Sequence, residues 1–445
     1  MTSTSVNNCG HIARGGQRLA SRIPLVERTV AMTSISFSKT LLLVVSLFSS
    51  SSSLISSPFS KHSTFALADS SINIAFPLQN DLMIRAARGE KVERTPIWIF
   101  RQAGRHLPEY TEYKKTRGKD FLQLLDDPND VTECTMQPIR RYNLDAAILF
   151  SDILVILQAL GMEVLMPGGV GILVPTPLAN PGEVATRIPV NVDVNEKLSH
   201  VITAVTQIKQ ELKGKVPLIG FSAAPWTLMY YMVGGSSKKN QEIGSKWLKE
   251  SPVESKALLD ILTTIVIEYT SAQIKAGADM MQIFEAMGEF INEEDFYKWA
   301  LPSMTRISTE LRKRHPTVPL LAFPKGATYA LAALQNAGYD VVTLDTQCER
   351  KGTRSILIDA AAATPPPLGR VSSVQGNFDV ALLKKGASSI EEIQAATKKM
   401  LLELGTQNLI ANLGEGLTGL EDPTLVAAFI DAVHDISEKM ISSEK

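Results

Sequence analysis

The chain has 445 residues, 44% of them hydrophobic, with 45 basic and 46 acidic side chains. This length and apolar content suit a large buried core, and the mildly acidic balance of the body beyond residue 68 argues against nucleic acid as a partner. The three cysteines, Cys9, Cys134 and Cys348, lie far apart with no C-x-x-C pair or Cys/His cluster, which argues against a disulfide framework or a zinc site.

Residues 1–68 differ in composition from the remainder. They hold six basic side chains and one acid, Glu27, leaving 39 basic and 45 acidic residues for a mildly acidic body. The run TLLLVVSLF at 40–48 is too short to span a bilayer as a mature helix. Following Met32 and Lys39, it reads as the apolar region of a signal peptide, with Met32 as an alternative start. The serine-rich, acid-free stretch behind it has the composition of a plastid transit peptide. The expectation is a signal-plus-transit leader leading to a plastid (chloroplast), with a plain secretory signal or a mitochondrial leader as the alternatives. No stable membrane insertion is expected of the mature chain, which is taken to be one domain over 69–445.

The first feature of the body is the apolar, strand-like run at 97–100 followed by Arg101 and Arg105. In a helix or tight loop that spacing aims two guanidiniums the same way, a receptor for more than one carboxylate; the alternative is a pair of solvated surface arginines. Gly104 permits close backbone approach, and Pro108 is expected to stop any helix.

Past residue 78, short apolar runs alternate with longer amphipathic stretches, the pattern of repeated βα units. Strands are expected at 146–150, 217–221, 280–284, 320–323, 341–344, 371–374 and 409–412, with a weaker one near Val164. Each of the seven is followed by polar or turn residues, which puts those residues just past the strand ends; in a parallel α/β barrel such ends form the catalytic face. Apolar spacing of three and four predicts packing helices at about 195–214 and at 256–277. The segments 234–240 and 364–369 are read as loops.

Five segments carry a family resemblance. PIWIFRQAGRHLPEY at 96–110, FSDILVILQALGM at 150–162, GFSAAPWTLMYYMVGG at 220–235, VQGNFDV at 374–380 and NLGEGL at 412–417 closely resemble, in order, the motifs of the uroporphyrinogen decarboxylase family. The resemblance runs from roughly residue 78 to the end. It implies a single (β/α)8 TIM barrel, a homodimer, and a carboxy-lyase needing neither cofactor nor metal. The implied reaction turns the four acetate side chains of uroporphyrinogen III into methyls, giving coproporphyrinogen III for heme and chlorophyll. Decarboxylation leaves electrons that need a sink, and a pyrrole protonated at a ring α-carbon is one. The protein must then supply a proton, stabilise a cation and hold several carboxylates.

On this resemblance Asp152 is the acceptor for the pyrrole N–H groups, with a helix cap as the alternative. Arg101 and Arg105 contact substrate carboxylates, and Arg101 is assigned proton delivery although arginine is a poor acid. Gln102 and Ala103 line the same segment. Lys114 is a further basic contact or a solvated lysine. Tyr231 brings a hydroxyl to the substrate, with Tyr230 the neighbour it could be confused with.

Two further site positions depart from the family pattern. Ala286 stands where the family has Ser or Thr, and Glu415 where it has histidine. A glutamate carboxylate would repel a substrate carboxylate by about 4 kcal/mol at contact with an effective dielectric near 20. Thr346 and Val380 are lesser departures from an expected Trp and Pro. Three functions are therefore carried forward: the active decarboxylase, a catalytically weak tetrapyrrole-binding or regulatory paralogue, and a corrinoid-type methyltransferase of the same superfamily.

Overall fold

In the computed structural model, residues 76–167 and 171–444 are described. The leader at 1–68 lies outside them. Seven parallel strands form one sheet in chain order: β1 (Ala147–Ile148), β2 (Leu218–Ala223), β3 (Met280–Glu285), β4 (Leu320–Pro324), β5 (Val341–Thr343), β6 (Ser373–Gln375) and β7 (Leu409–Ile410). All seven fall at or next to the expected runs. Their side chains are buried almost throughout, as expected for a parallel sheet covered by helices.

The sheet curls into a barrel, and the segment 96–99 stands between its two ends. Ile97 pairs in parallel with Ala411, Ala411 N–H donates to the Pro96 carbonyl at 2.8 Å, and Asp145 N–H donates to the Ile97 carbonyl at 2.9 Å. The eighth position is therefore taken by the apolar run before Arg101. The weak strand expected near Val164 is instead an isolated antiparallel bridge, Leu165 to Leu173, with Leu173 bridging on to Ser236.

The helices pack outside: α1 (Pro108–Arg117), α2 (Pro128–Arg141), α3 (Ser199–Leu212), α4 (Pro225–Gly234), α5 (Pro252–Ala276), α6 (Leu301–Arg314), α7 (Ile390–Leu404) and α8 (Pro423–Ser443). Pro108 opens α1 instead of ending a helix, because at the first helical position its missing N–H costs nothing. The stretch at 195–214 is two helices, Val194–Lys197 and α3, meeting at Leu198. Helix α5 is long and apolar enough to cross a membrane by composition, but 67% of its apolar window is buried inside this fold.

The barrel interior holds a polar chain across the closing segment, β6, β3 and β5. Trp98 Nε1 donates to Gln375 Oε1 at 2.8 Å, and Gln375 Nε2 donates to Gln282 Oε1 and Thr343 Oγ1 at 3.2 and 2.9 Å. Fully satisfied, such a network fixes register where apolar packing alone would not. Toward the strand C-termini, Phe100 stacks on Phe323 at 4.9 Å and meets Phe284 edge-on at 5.7 Å, while Phe221 meets Phe284 at 5.6 Å. Each such pair is worth about 0.5–1.5 kcal/mol beyond its burial. This aromatic layer ends in the residue immediately before Arg101.

Candidate active site

Arg101 leaves the aromatic layer with its backbone in the left-handed region, φ +59°. A non-glycine residue there is uncommon and marks a site where neighbours over-determine the conformation. The neighbours are the glycines of the loop after β7. A Cβ on Gly416 would lie 2.7 Å from Arg101 Cδ, and one on Gly419 would lie 2.8 Å from Arg105 Cβ. Both arginines are exposed, and among the described residues neither has a carboxylate oxygen within the 4.0 Å of an ion pair. Two unpaired guanidiniums thus stand at the C-terminal end of the barrel, shaped for carboxylates.

Asp152 follows β1. Its Oδ1 accepts from Leu154 N–H at 2.7 Å, but the short helix behind it begins at Val155 with Leu154 as its cap residue. Asp152 is therefore not that helix's N-cap. Burial pushes its carboxyl up to about 6, against the opposing pull of the Leu154 and Ile153 N–H groups and of Arg101. Tyr231, on α4, is buried as well; burial pushes its phenol up to about 12, with Asp152 adding to the rise and the Ser237 hydroxyl and Arg101 opposing it. From α5, the Tyr269 phenol is raised by burial and by Asp152, with Ser151 opposing the rise. Arg101, Asp152 and Tyr231 therefore share one electrostatic environment drawn from three elements. Tyr230 points elsewhere, stacking on Phe290 at 5.1 Å.

The remaining expected residues are placed differently. Gln102 is fully buried, with its amide donating to the Ala146 carbonyl at 3.2 Å and its Oε1 accepting from Ile99 N–H at 3.4 Å. Its side chain therefore ties the closing segment to β1. Ala103 is half-buried and packs on the core. Lys114 is half-exposed on α1, and no described contact joins it to Arg101, Asp152 or Tyr231. Ala286 N–H donates to Thr227 Oγ1 at 2.8 Å, so a hydroxyl is present beside that position but is held by the backbone. Glu415 is half-exposed, and no described cation lies within 4.0 Å of it. Thr346 lines a cavity of about 380 Å³ with Cys348, Arg350, Asn377, Asp379 and Glu403.

Sequence reading missed Glu285, the last residue of β3. It is fully buried, and burial pushes its carboxyl up to about 8 despite hydrogen bonds from Thr227 and Met287. An acid directly ending an apolar strand was the available signal.

Comparison with known proteins settles the family. The uroporphyrinogen decarboxylase family model matches residues 78–436. The chain belongs to the uroporphyrinogen decarboxylase family. It is 40% identical to the uroporphyrinogen decarboxylase of Salinibacter ruber over 82% of this chain and 99% of that one. With those of Danio rerio and Homo sapiens it shares 41% identity over 82% and 81% of this chain, covering 96% and 95% of theirs. Among solved structures, a methyltransferase from Methanosarcina mazei aligns with TM-score 0.64 at 17% identity, covering 80% of this chain and 98% of that one. This likeness shows the barrel fold alone. For a uroporphyrinogen decarboxylase family member, the convergence of Arg101, Asp152 and Tyr231 at the strand C-termini is where a barrel of this kind places its chemistry.

Proposed function

We propose that the chain is a cofactor-independent carboxy-lyase that converts the acetate side chains of uroporphyrinogen III to methyls, yielding coproporphyrinogen III. The observation that carries this reading is the desolvated Asp152 carboxyl lying in the field of Arg101, which has no carboxylate partner of its own. Ionised Asp152 accepts pyrrole N–H bonds and stabilises the ring cation formed when a ring α-carbon takes up a proton. The bond to the carboxyl carbon then breaks, its electrons enter the ring, and carbon dioxide leaves. The methylene carbon is protonated to methyl and the ring proton is returned, so each turnover consumes one proton. Arg101 and Arg105 hold carboxylates that do not react, each charge-assisted contact contributing roughly 1.5–3 kcal/mol.

Anaerobic incubation of the chain with uroporphyrinogen III, followed by oxidation and chromatography, tests this. Stepwise appearance of seven- to four-carboxyl products supports it. Binding of the octacarboxylate without carbon dioxide release would favour a second reading, a tetrapyrrole-binding or regulatory paralogue. Glu415 is the observation behind that alternative, an unpaired carboxyl in the loop that cradles Arg101.

The acid-poor, serine-rich composition of residues 1–68 supports delivery to a plastid, where tetrapyrrole synthesis would serve both heme and chlorophyll. The family resemblance supports a homodimer.

A further inference from the structure

Glu285 is a buried carboxyl for which the proposed chemistry has no use. Its residue is 0% exposed, and Oε2 has no hydrogen-bond partner among the described residues. Oε1 receives a short hydrogen bond from the Thr227 hydroxyl and a longer one, 3.4 Å, from Met287 N–H. Thr227 Oγ1 in turn accepts from Ala286 N–H at 2.8 Å, and Trp226 Nε1 donates to the Met287 carbonyl at 3.0 Å. These bonds fasten the first turn of α4 to the end of β3. Thr227 and Tyr231 are four residues apart on α4, so they stand one above the other on the same face. Whatever fixes Thr227 fixes the helix face that carries Tyr231.

We propose that Glu285 is a positioning residue that, through Thr227, sets the Tyr231 hydroxyl against Asp152 and the substrate. This rests on the decarboxylase reading for its reaction but not for its geometry. The carboxyl holds its proton at neutral pH because it is desolvated and no described lysine, arginine or histidine lies within ion-pair distance. The titratable groups that feel its charge are Tyr329, in the turn after β4, and Tyr339, ahead of β5; neither brings a positive charge. Ionisation above pH 8 would place an uncompensated charge between α4 and β3 and loosen the fastening. Sub-ångström order at Tyr231 would be lost while the barrel persists.

The experiment compares Glu285→Ala, Thr227→Val and Glu285→Gln with the unsubstituted chain from pH 6.5 to 9.5. Two signals are read: kcat on uroporphyrinogen III, and quenching of uroporphyrin fluorescence on binding. Thermal unfolding is recorded in parallel. Displacement of a catalytic group by about 1 Å costs on the order of 100-fold, so Glu285→Ala and Thr227→Val are expected to lower kcat about 10- to 100-fold at pH 7. Glu285→Gln, which keeps an acceptor for Thr227 and cannot ionise, is expected to rescue most of that loss and to remove the decline above pH 8.

Undiminished kcat in Glu285→Ala overturns the proposal. So does an alkaline decline in Glu285→Gln that superimposes on that of the parent, or a Glu285→Gln as inactive at pH 7 as Glu285→Ala, which would make the proton itself part of the chemistry. If the parent releases no carbon dioxide, the decarboxylase reading fails by itself. The porphyrin-binding profile then decides Glu285: an alkaline weakening present in the parent and absent in Glu285→Gln supports it, and identical profiles reject it.

Discussion

Gly416 leaves no room for a Cβ against Arg101: the nearest side-chain atoms, Cδ and Nε, would be 2.7 and 2.9 Å away. Gly416 has no positive φ that would exclude an L side chain. A methyl there must therefore displace the arginine and need not strain the loop. Gly416→Ala should reduce kcat/KM about 10- to 100-fold, as expected for misplacing a substrate-positioning group by about 1 Å, with little change in unfolding midpoint. A variant with native kinetics would show that the loop after β7 does not set the arginine.

Asp152 makes activity dependent on pH in a defined direction. Its carboxyl, raised by burial to about 6, must be ionised to accept pyrrole N–H bonds, so kcat/KM should fall as pH drops through about 6. The same shift bears on stability with the opposite consequence. A carboxyl whose folded pKa lies above its unfolded value favours folding most below the unfolded value, and that contribution is lost as pH rises through about 6. Asp152→Asn should abolish turnover and leave a folded chain somewhat more stable at neutral pH. Retained turnover would remove Asp152 from the mechanism.

The barrel was readable because its strands are buried almost throughout. Largely apolar runs such as 280–284 and 320–323, each ended by polar or turn residues, leave little room for another assignment. Residues placed by tertiary pairing were harder. The weak strand expected near Val164 is an isolated bridge, and the eighth position is taken by the strand-like run at 97–100, whose partners Ala411 and Asp145 are far away in sequence.

In the site, Arg101, Asp152 and Tyr231 stood in motifs, so their types and order were available beforehand. The inward turn of Gln102 was not, because its partner is a carbonyl 44 residues on. Glu285 was overlooked for a related reason: a glutamate after an apolar strand reads as a solvated turn residue until Thr227 is seen beside it.

Glu415 tests whether the departure from the family histidine weakens the site. It lies between Gly414 and Gly416, in the loop that packs on Arg101, and has no cation within 4.0 Å among the described residues. Two carboxylates in contact repel by about 4 kcal/mol at an effective dielectric near 20. Glu415→His removes that repulsion and adds a donor. It should raise kcat/KM at least about tenfold, each factor of ten requiring about 1.4 kcal/mol. Unchanged kinetics would mean that no substrate carboxylate reaches this loop.

Stability should depend on Asp145, at the opposite end of β1 from Asp152. Its carboxylate accepts from Asn80 Nδ2 at 2.7 Å, from both terminal nitrogens of Arg94 at 2.9 and 2.7 Å, and from Ile97 N–H at 2.9 Å; His434 Nε2 lies 2.8 Å away. Burial alone would raise its pKa, but His434 and Arg94 overcome that and hold the carboxyl below the usual aspartate range. A depressed folded pKa contributes stability that is fully present above the unfolded value, near 3.8, and is lost as pH falls through the folded one. Asp145→Asn leaves Arg94 without its counter-charge and weakens one of the ties between the closing segment and β1. Breaking a buried pair in this way costs about 3–5 kcal/mol. Denaturant unfolding at pH 7 should show that loss, and the variant's stability should change less than the parent's below pH 4. If both proteins lose stability equally on acidification, some carboxylate other than Asp145 governs the acid limb.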